Sequence, residues 1–424
     1  MNNLKQILTT KIPIWGEQLQ KIQKEYSDYP VSTITVKQLF KGLRDVIAVV
    51  CDTSYVDPQK GLFIRDIPVL KLMDLSAEEL FFLLCSGEQP DAQSVQDLQM
   101  DLSARREVPQ QVWDLLESQP PDTHPMSLLS MSMLAMQRES VFTKAYQKGL
   151  SREQYWEATF EDALNIIARL PVIAAYIYRR FLRDEQPIAP LAHLNHTDNF
   201  ANMLGFPSRE FKEFLQKFFV VHSDHEGANA SVFSSRVVNS SLSDLYYSIS
   251  ASMNSLAGPL HGLANQESLK FILSVIQEFA GVPSEEQLEK LLKVKIQNGE
   301  ILPGFGHAVL RAEDPRYQAL FEFGEQLCPD DPVFQVAGLL KKLVPPLLIE
   351  KGKASNPYPN IDGITGPLLY HFGMKELTFY TVMFSTAQVL GICAQLIINQ
   401  ALMLPIFRPR SIPLAHLKEL IENQ

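Results

Sequence analysis

Gly258-Pro259-Leu260-His261-Gly262-Leu263-Ala264-Asn265-Gln266 sets one histidine between glycines and a proline. After it, Glu267 to Ala280 carries apolar side chains at Leu269, Phe271, Ile272, Val275, Ile276 and Phe279, the spacing of an amphipathic helix. Before it, Asp244 to Leu256 is mostly small and polar. The pattern predicts a sharp turn feeding a helix, with His261 in the turn and Asn265 as the cap. Glycine lets backbone and ligand approach closely. Unpaired amides at a helix start favour a negative partner and oppose an imidazolium. A histidine kept neutral in this way can donate a hydrogen bond to a carbonyl that is becoming an enolate. A turn histidine with no chemistry accounts for these residues equally well.

Outward from this turn, most of the chain reads as helix. Leu4, Ile7, Leu8 and Ile12 start a helix running to about Tyr26, and Val36, Leu39, Leu43 and Val46 mark a second segment. Ser54 to Ile67 is β-rich, with Asp57-Pro58 and Gly61 predicting a small hairpin. Helices are expected over Ala77–Ser86, Met126–Met136, Arg152–Leu170, Val172–Leu182 and Arg209–Val221, with prolines at 109, 120, 121 and 125 separating short ones. The longest apolar run, Phe379 to Leu404, is interrupted by Gln388, Gln395, Asn399 and Gln400, which suits a buried core helix rather than a membrane span. Alternating apolar strands are almost absent, so the fold class is mainly α. Leu302-Pro303-Gly304 and Asn356-Pro357-Tyr358-Pro359 read as loops folded back toward a site.

At 424 residues the chain suits a large domain carrying a smaller one. Its net charge of −10 argues against nucleic acid, whose phosphates need a basic face; an anionic substrate must be met by a local arginine cluster. Cys51, Cys85, Cys328 and Cys393 are scattered singly, so neither a disulfide framework nor a zinc ribbon is indicated. Met1 to Ile12 has no apolar signal core and no arginine-rich transit pattern, so a cytoplasmic location is expected.

Three further stretches carry candidate chemistry. Pro303-Gly304-Phe305-Gly306-His307-Ala308-Val309-Leu310-Arg311, continuing to Asp314-Pro315-Arg316, gives a loop able to wrap a ligand, with one histidine and two arginines. Pro359-Asn360-Ile361-Asp362-Gly363-Ile364-Thr365-Gly366 sets one aspartate in a mostly uncharged stretch; burial raises such a pKa toward useful proton transfer, although Asp-Gly is also a common turn. His222-Ser223-Asp224-His225-Glu226-Gly227 pairs two histidines three apart, as do His193 and His196. Nothing completes a metal shell around either pair, so no metal is expected. No Walker loop, Gly-x-Ser-x-Gly or His-Glu-x-x-His occurs.

Together these loops suggest carbon-acid chemistry on an anionic substrate. The chain resembles the citrate synthases, and more closely their longer, mitochondrial-like type, on the residues from Met253 to Gln266, on His222-Ser223-Asp224-His225-Glu226-Gly227 and on Gly306-His307-Ala308-Val309-Leu310-Arg311. The similarity runs from Leu4 to about Ser411. It implies an all-α homodimer with a large domain, residues 1–262 plus 379–424, and a small domain, residues 263–378, that closes over the substrates. It implies condensation of acetyl-CoA with oxaloacetate, with no metal and no cofactor beyond the coenzyme A thioester. Asp362 would take the methyl proton, His261 would hold the thioester oxygen and His307 would polarise the ketone. Substrate binding would fall to His225, Arg316, Phe384, the Gln388 position and Arg408. Coenzyme A would meet Arg44, Arg152 and Arg311. Arg408 and Arg152 would reach the neighbouring subunit's site.

One position departs from the family pattern. Gln388 stands where the family has an arginine on the distal acceptor carboxylate, and loss of a charge-assisted bond weakens such binding by about tenfold to a hundredfold. Ile364, beside the base, makes its surroundings more apolar. Both changes lean toward an acceptor with less distal charge, so a synthase for another 2-oxo acid or acyl-CoA, of the 2-methylcitrate or alkylcitrate type, is the alternative. A coenzyme A-binding regulator without turnover is the reading from a different class, and the intact His261, His307 and Asp362 oppose it.

Overall fold

The apolar run near the C-terminus forms the helix Tyr380–Ala401, and the rest of the core is laid around it. In this computed structural model, which describes residues 3–352 and 356–423, every residue of that helix is buried except Phe384 and Asn399. Helices Tyr155–Ile177, Ala77–Ser86, Arg209–His222 and Leu245–Leu256 pack against it. The helix is long and apolar enough to cross a membrane, but 89% of its apolar window is buried within the protein. Its amides work inside the core: Gln395 Nε2 donates to Asp224 Oδ1 (2.7 Å) and Gln400 Nε2 to Asn239 Oδ1 (2.9 Å). Unpaired, each would cost about 1–3 kcal/mol. A second helix of similar length and hydropathy, Pro332–Lys351, is 33% buried and packs on Ala264–Phe279 and Asp362–His371.

Among the described residues the strands form one antiparallel sheet, Ser54–Asp57, Gly61–Ile64 and Ile67–Pro68, where the Asp-Pro and Gly signals place a hairpin. Asp57 Oδ1 accepts from the amides of Gln59 and Lys60, which closes the turn. Gly61 sits so close to Pro315 that a Cβ would overlap the proline ring, and Pro58 O accepts from Arg311 N (2.7 Å). The hairpin is therefore a brace under the loop that carries His307.

Three local expectations are corrected, and one stretch read only as small and polar proves to be a helix. Pro171 does not split a helix in two: Tyr155–Ile177 runs through it and ends in a π-turn, Tyr178–Leu182. Its neighbours Leu170 and Ile173 are fully buried, so tertiary packing outweighs the lost hydrogen bond. The segment from Val36 is helical only over Val36–Leu39, because Gly42, Leu43 and Asp45 take left-handed conformations. Asp244 to Leu256 is helix, capped by Asp244, with its serines turned into the core; Ser250 Oγ meets Ser130 Oγ at 2.8 Å. Asn265 is not a cap. It lies inside the helix Ala264–Phe279, buried, and the preceding Leu263 makes no side-chain capping bond.

Candidate active site

Two loops that are far apart in sequence are sewn together by backbone. Phe305 bridges Pro359, Gly306 N donates to Tyr358 O (2.9 Å), Asn360 N donates to Gly304 O (2.9 Å), and Asn360 Nδ2 donates to Gly306 O (2.7 Å). Gly304 has φ +81°, and any side chain there would collide with Ser268 Oγ and Gly363 Cα. This stitch sets His307 on one loop and Asp362, first residue of the helix Asp362–His371, on the other.

Asp314 joins both loops to Arg316. The two residues flank Pro315 at the start of the helix Pro315–Leu327, where Asp314 is the cap. Arg316 Nε donates to Asp314 Oδ1 (3.0 Å) and Nη2 to Oδ2 (2.8 Å), and Ile361 N donates to the same Oδ2 (3.3 Å). Burial pushes the Asp314 carboxyl up, but the Arg316 charge and its hydrogen bonds more than offset this and hold it below the usual range. The sequence reading counted the arginines of this stretch and passed over the aspartate. The signal was present as an aspartate before a helix-initiating proline.

His307 sits against this pair. Its Nδ1 accepts from the amides of Val309 and Leu310, both at 3.0 Å, so the proton of the neutral ring is on Nε2. Burial, then Arg316, lower its pKa to about 4. The His225 ring lies 5.5 Å from that of His307, and burial and Arg316 hold it well below its ordinary value. His222 stacks on Phe218 and meets Phe384 edge-on, with centroids 5.0 Å apart. Asp362 is shifted the other way, up to about 6, by burial, with Arg316 opposing and Asp314 reinforcing. Arg311 turns back on its own loop, donating to the carbonyls of Ala308, Val309 and Leu310.

His261 stands at the other wall. Gly262 follows it because a Cβ there would overlap Leu256 O, at the end of the preceding helix. Ser231 N donates to His261 Nε2 (3.2 Å), and Ser231 Oγ lies 2.9 Å from the same nitrogen. A nitrogen that accepts a backbone N–H carries a lone pair, so the ring is neutral with its proton on Nδ1. Burial also lowers its pKa. A helix start does oppose the imidazolium, as expected, but it is that of Ala230–Ser240 rather than the one following His261. Ser231, in turn, bonds Gln388 Oε1 (3.0 Å), one turn beyond Phe384 on the Tyr380–Ala401 helix. Nothing in the sequence around Ser231 marked it, because its role depends on a contact 30 residues away.

The helix that follows the His261 turn and the helix that opens at Asp362 are in contact: Gly366 fits against Asn265 O and Leu269, where a Cβ would be crowded. Other expected residues do not converge here. Arg44 and Arg408 are exposed, and Arg152 donates to Met403 O (3.1 Å). None of the three bonds to the cluster among the described residues. His193 lies on a surface groove beside Met100 and Ser103, whereas His196 is buried in the core.

Residues 42–410 match the family described as "Citrate synthase, C-terminal domain". The chain is 41% identical over 98% of its length to "Citrate synthase 4, mitochondrial" of Arabidopsis thaliana, covering 91% of that protein. It is 39% identical over 98% of its length to "Citrate synthase, mitochondrial" of Daucus carota, covering 90%. A citrate synthase from Thermoplasma acidophilum, solved as a ternary complex with carboxymethyl coenzyme A and oxaloacetate, shares the fold at 22% identity, with a TM-score of 0.77 over 91% of this chain and 100% of that one. Both sequence relatives are named as mitochondrial, which overturns the expected cytoplasmic location. Matched by the family model over residues 42–410 and by these sequence relatives along nearly its whole length, the chain belongs to the citrate synthase family and is an acyltransferase of that type.

Proposed function

We propose that the two walls divide the condensation between them. Asp362 takes a proton from the methyl group of acetyl-CoA, and the electron pair left behind moves onto the thioester oxygen, which His261 steadies with its Nδ1–H. The enol carbon then attacks the ketone carbon of oxaloacetate. His307 donates from Nε2 to the ketone oxygen as it becomes an alkoxide. Water then hydrolyses the new thioester, releasing citrate and coenzyme A. A carboxylate is too weak a base for a thioester methyl unless the oxyanion is held in the same step, so neither wall suffices alone. The observation that carries this reading is the pairing of a raised carboxylate with two imidazoles whose acceptor nitrogens are already filled by backbone amides. No cofactor beyond the coenzyme A thioester enters.

His225, Arg316, Phe384, Gln388 and Arg408 form the acceptor site in this reading, and Arg44, Arg311 and Arg152 meet the coenzyme. Arg408 and Arg152 act across a homodimer. Residues 263–378 move as a small domain against residues 1–262 plus 379–424. The hydrogen bonds Gln266 Nε2 to Thr381 Oγ1 (2.7 Å) and Thr381 Oγ1 to Gly262 O (3.0 Å) support this, because they tie together the two places where the chain passes between those units. The Gln388 side chain brings no charge, which favours a weaker hold on oxaloacetate or a less charged 2-oxo acid. Steady-state thiol release from acetyl-CoA with a panel of 2-oxo acids tests this. Oxaloacetate giving the highest kcat/KM by a wide margin removes the second substrate, and no thiol release with any acceptor removes the reading itself.

A further inference from the structure

We propose that Gln388 is a positioning residue for His261, acting through the Ser231 hydroxyl, so that one side chain of the acceptor site also governs activation of the thioester. This rests on the reading that His261 steadies the thioester oxygen.

The case is one of counting hydrogens. Ser231 Oγ has a single hydrogen and three acceptors in reach: His261 Nε2 at 2.9 Å, Gln388 Oε1 at 3.0 Å and Asn229 Oδ1 at 2.9 Å. At the other end of the amide, Gln388 Nε2 is buried and has no partner among the described residues, on a side chain only 1% exposed. One wall of the site thus has too few donors, and an amide with two unused hydrogens stands beside it. Half a turn about the last side-chain bond of Gln388 supplies the missing donor and gives Nε2 a partner. Nε2–H then donates to Ser231 Oγ, the hydroxyl hydrogen is released to His261 Nε2, and the donors run one way from Gln388 through Ser231 to the ring. That direction is the one the backbone already dictates, because Ser231 N donates to the same Nε2 and so requires its lone pair. With two donors on Nε2, the ring keeps its proton on Nδ1, where the enolate oxygen needs it.

A glutamate at position 388 can only accept. It would draw the Ser231 hydrogen away from His261. A methionine fills similar space and does neither. An arginine can only donate and would keep the chain running.

The test is thiol release at saturating oxaloacetate for Gln388→Glu, Gln388→Met and Gln388→Arg, each also made with Ser231→Ala, with thermal melts to confirm folding. The expected result is a kcat loss of about thirtyfold for Gln388→Glu and about fivefold for Gln388→Met, with a smaller loss for Gln388→Arg than for either. In the Ser231→Ala background, the kcat effect of Gln388→Glu should vanish and only its effect on oxaloacetate KM should remain. The proposal is overturned if Gln388→Glu alters only that KM, or if its kcat loss is the same with and without Ser231. Should every position-388 variant fail to fold, Ser231→Ala alone decides: about a tenfold lower kcat at unchanged oxaloacetate KM is expected, and a wild-type kcat overturns the proposal. A wild-type protein that releases no thiol would sink the underlying reading instead, and is recognised before any variant is made.

Discussion

His307 and His261 end in the same electrical state, but the bonds that put them there come from different distances along the chain. His307 has its acceptor nitrogen filled by the amides two and three residues on, and it faces an ion pair of its own segment. His261 has its acceptor nitrogen filled by an amide 30 residues upstream, and the side chain behind that amide is anchored 157 residues away on Gln388. The His307 wall is charged: Asp314 and Arg316 are paired at 2.8 Å, and both charges act on Asp362. The His261 wall is uncharged and made of dipoles. A charged wall is strong and costly to disturb; a wall of dipoles is gentler and easier to retune by one substitution. Gln388, the residue read from the sequence as departing from the family pattern, stands on the second wall.

Breaking the charged wall at its reacting group gives the largest effect. Asp362→Ala removes the proposed base and should lower kcat by about 10²–10⁴-fold. Coenzyme A binding, measured by calorimetry, should stay within about threefold. Loss of binding instead would mean that the proton goes elsewhere and Asp362 is structural.

The same wall is expected to fail differently at Asp314. Asp314→Ala leaves the Arg316 guanidinium buried without its carboxylate, at 5% residue exposure, and also frees Ile361 N. Urea unfolding should show a loss of about 3–5 kcal/mol. Ser231→Ala, on the dipole wall, should lose no more than about 1.5 kcal/mol in the same measurement. Equal losses would remove the distinction between the walls.

How much of this could be read from the chain follows the same division. The Ser54–Ile67 hairpin, the buried Tyr380–Ala401 helix and the folded-back loops at 302–307 and 356–360 were legible, because turn residues and long apolar runs act locally. His307, Asp362 and His261 were legible as members of conspicuous loops. Ser231 was not singled out, since it matters through partners brought in by the fold; Asp314 was passed over although its partner Arg316 lies two residues on, and only its bond from Ile361 N depends on the fold. Asn265 was misread as a cap: the turn before it is closed by His261 N to Gly258 O (3.0 Å), so the helix starts without a side-chain donor or acceptor. The Leu245–Leu256 helix was passed over although Leu245, Ile249, Met253 and Leu256 keep a helical apolar period, because the buried serines between them make the stretch look small and polar. Pro171 misled in the opposite direction, toward a break that packing overrides.

The smallest effect separates the walls by pH. Asp362 titrates near 6, so kcat/KM for acetyl-CoA should fall about tenfold per unit as pH drops below that value. His307, at about 4, stays neutral through this range and adds no limb of its own. The same shift has a stability consequence of definite sign. A carboxyl raised from 3.8 to about 6 binds its proton more tightly in the folded protein. Its contribution to stability is therefore fully present below pH 3.8 and is lost as pH rises through 6. Asp362→Asn removes the charge that burial penalises. It should raise stability by about 1–2 kcal/mol at pH 7.5, after discounting for partial solvent contact, and leave it unchanged near pH 3.5. Paired melts at the two pH values check this. A variant stabilised equally at both would show that the gain comes from packing, and that the carboxylate is not held under the strain its catalytic role requires.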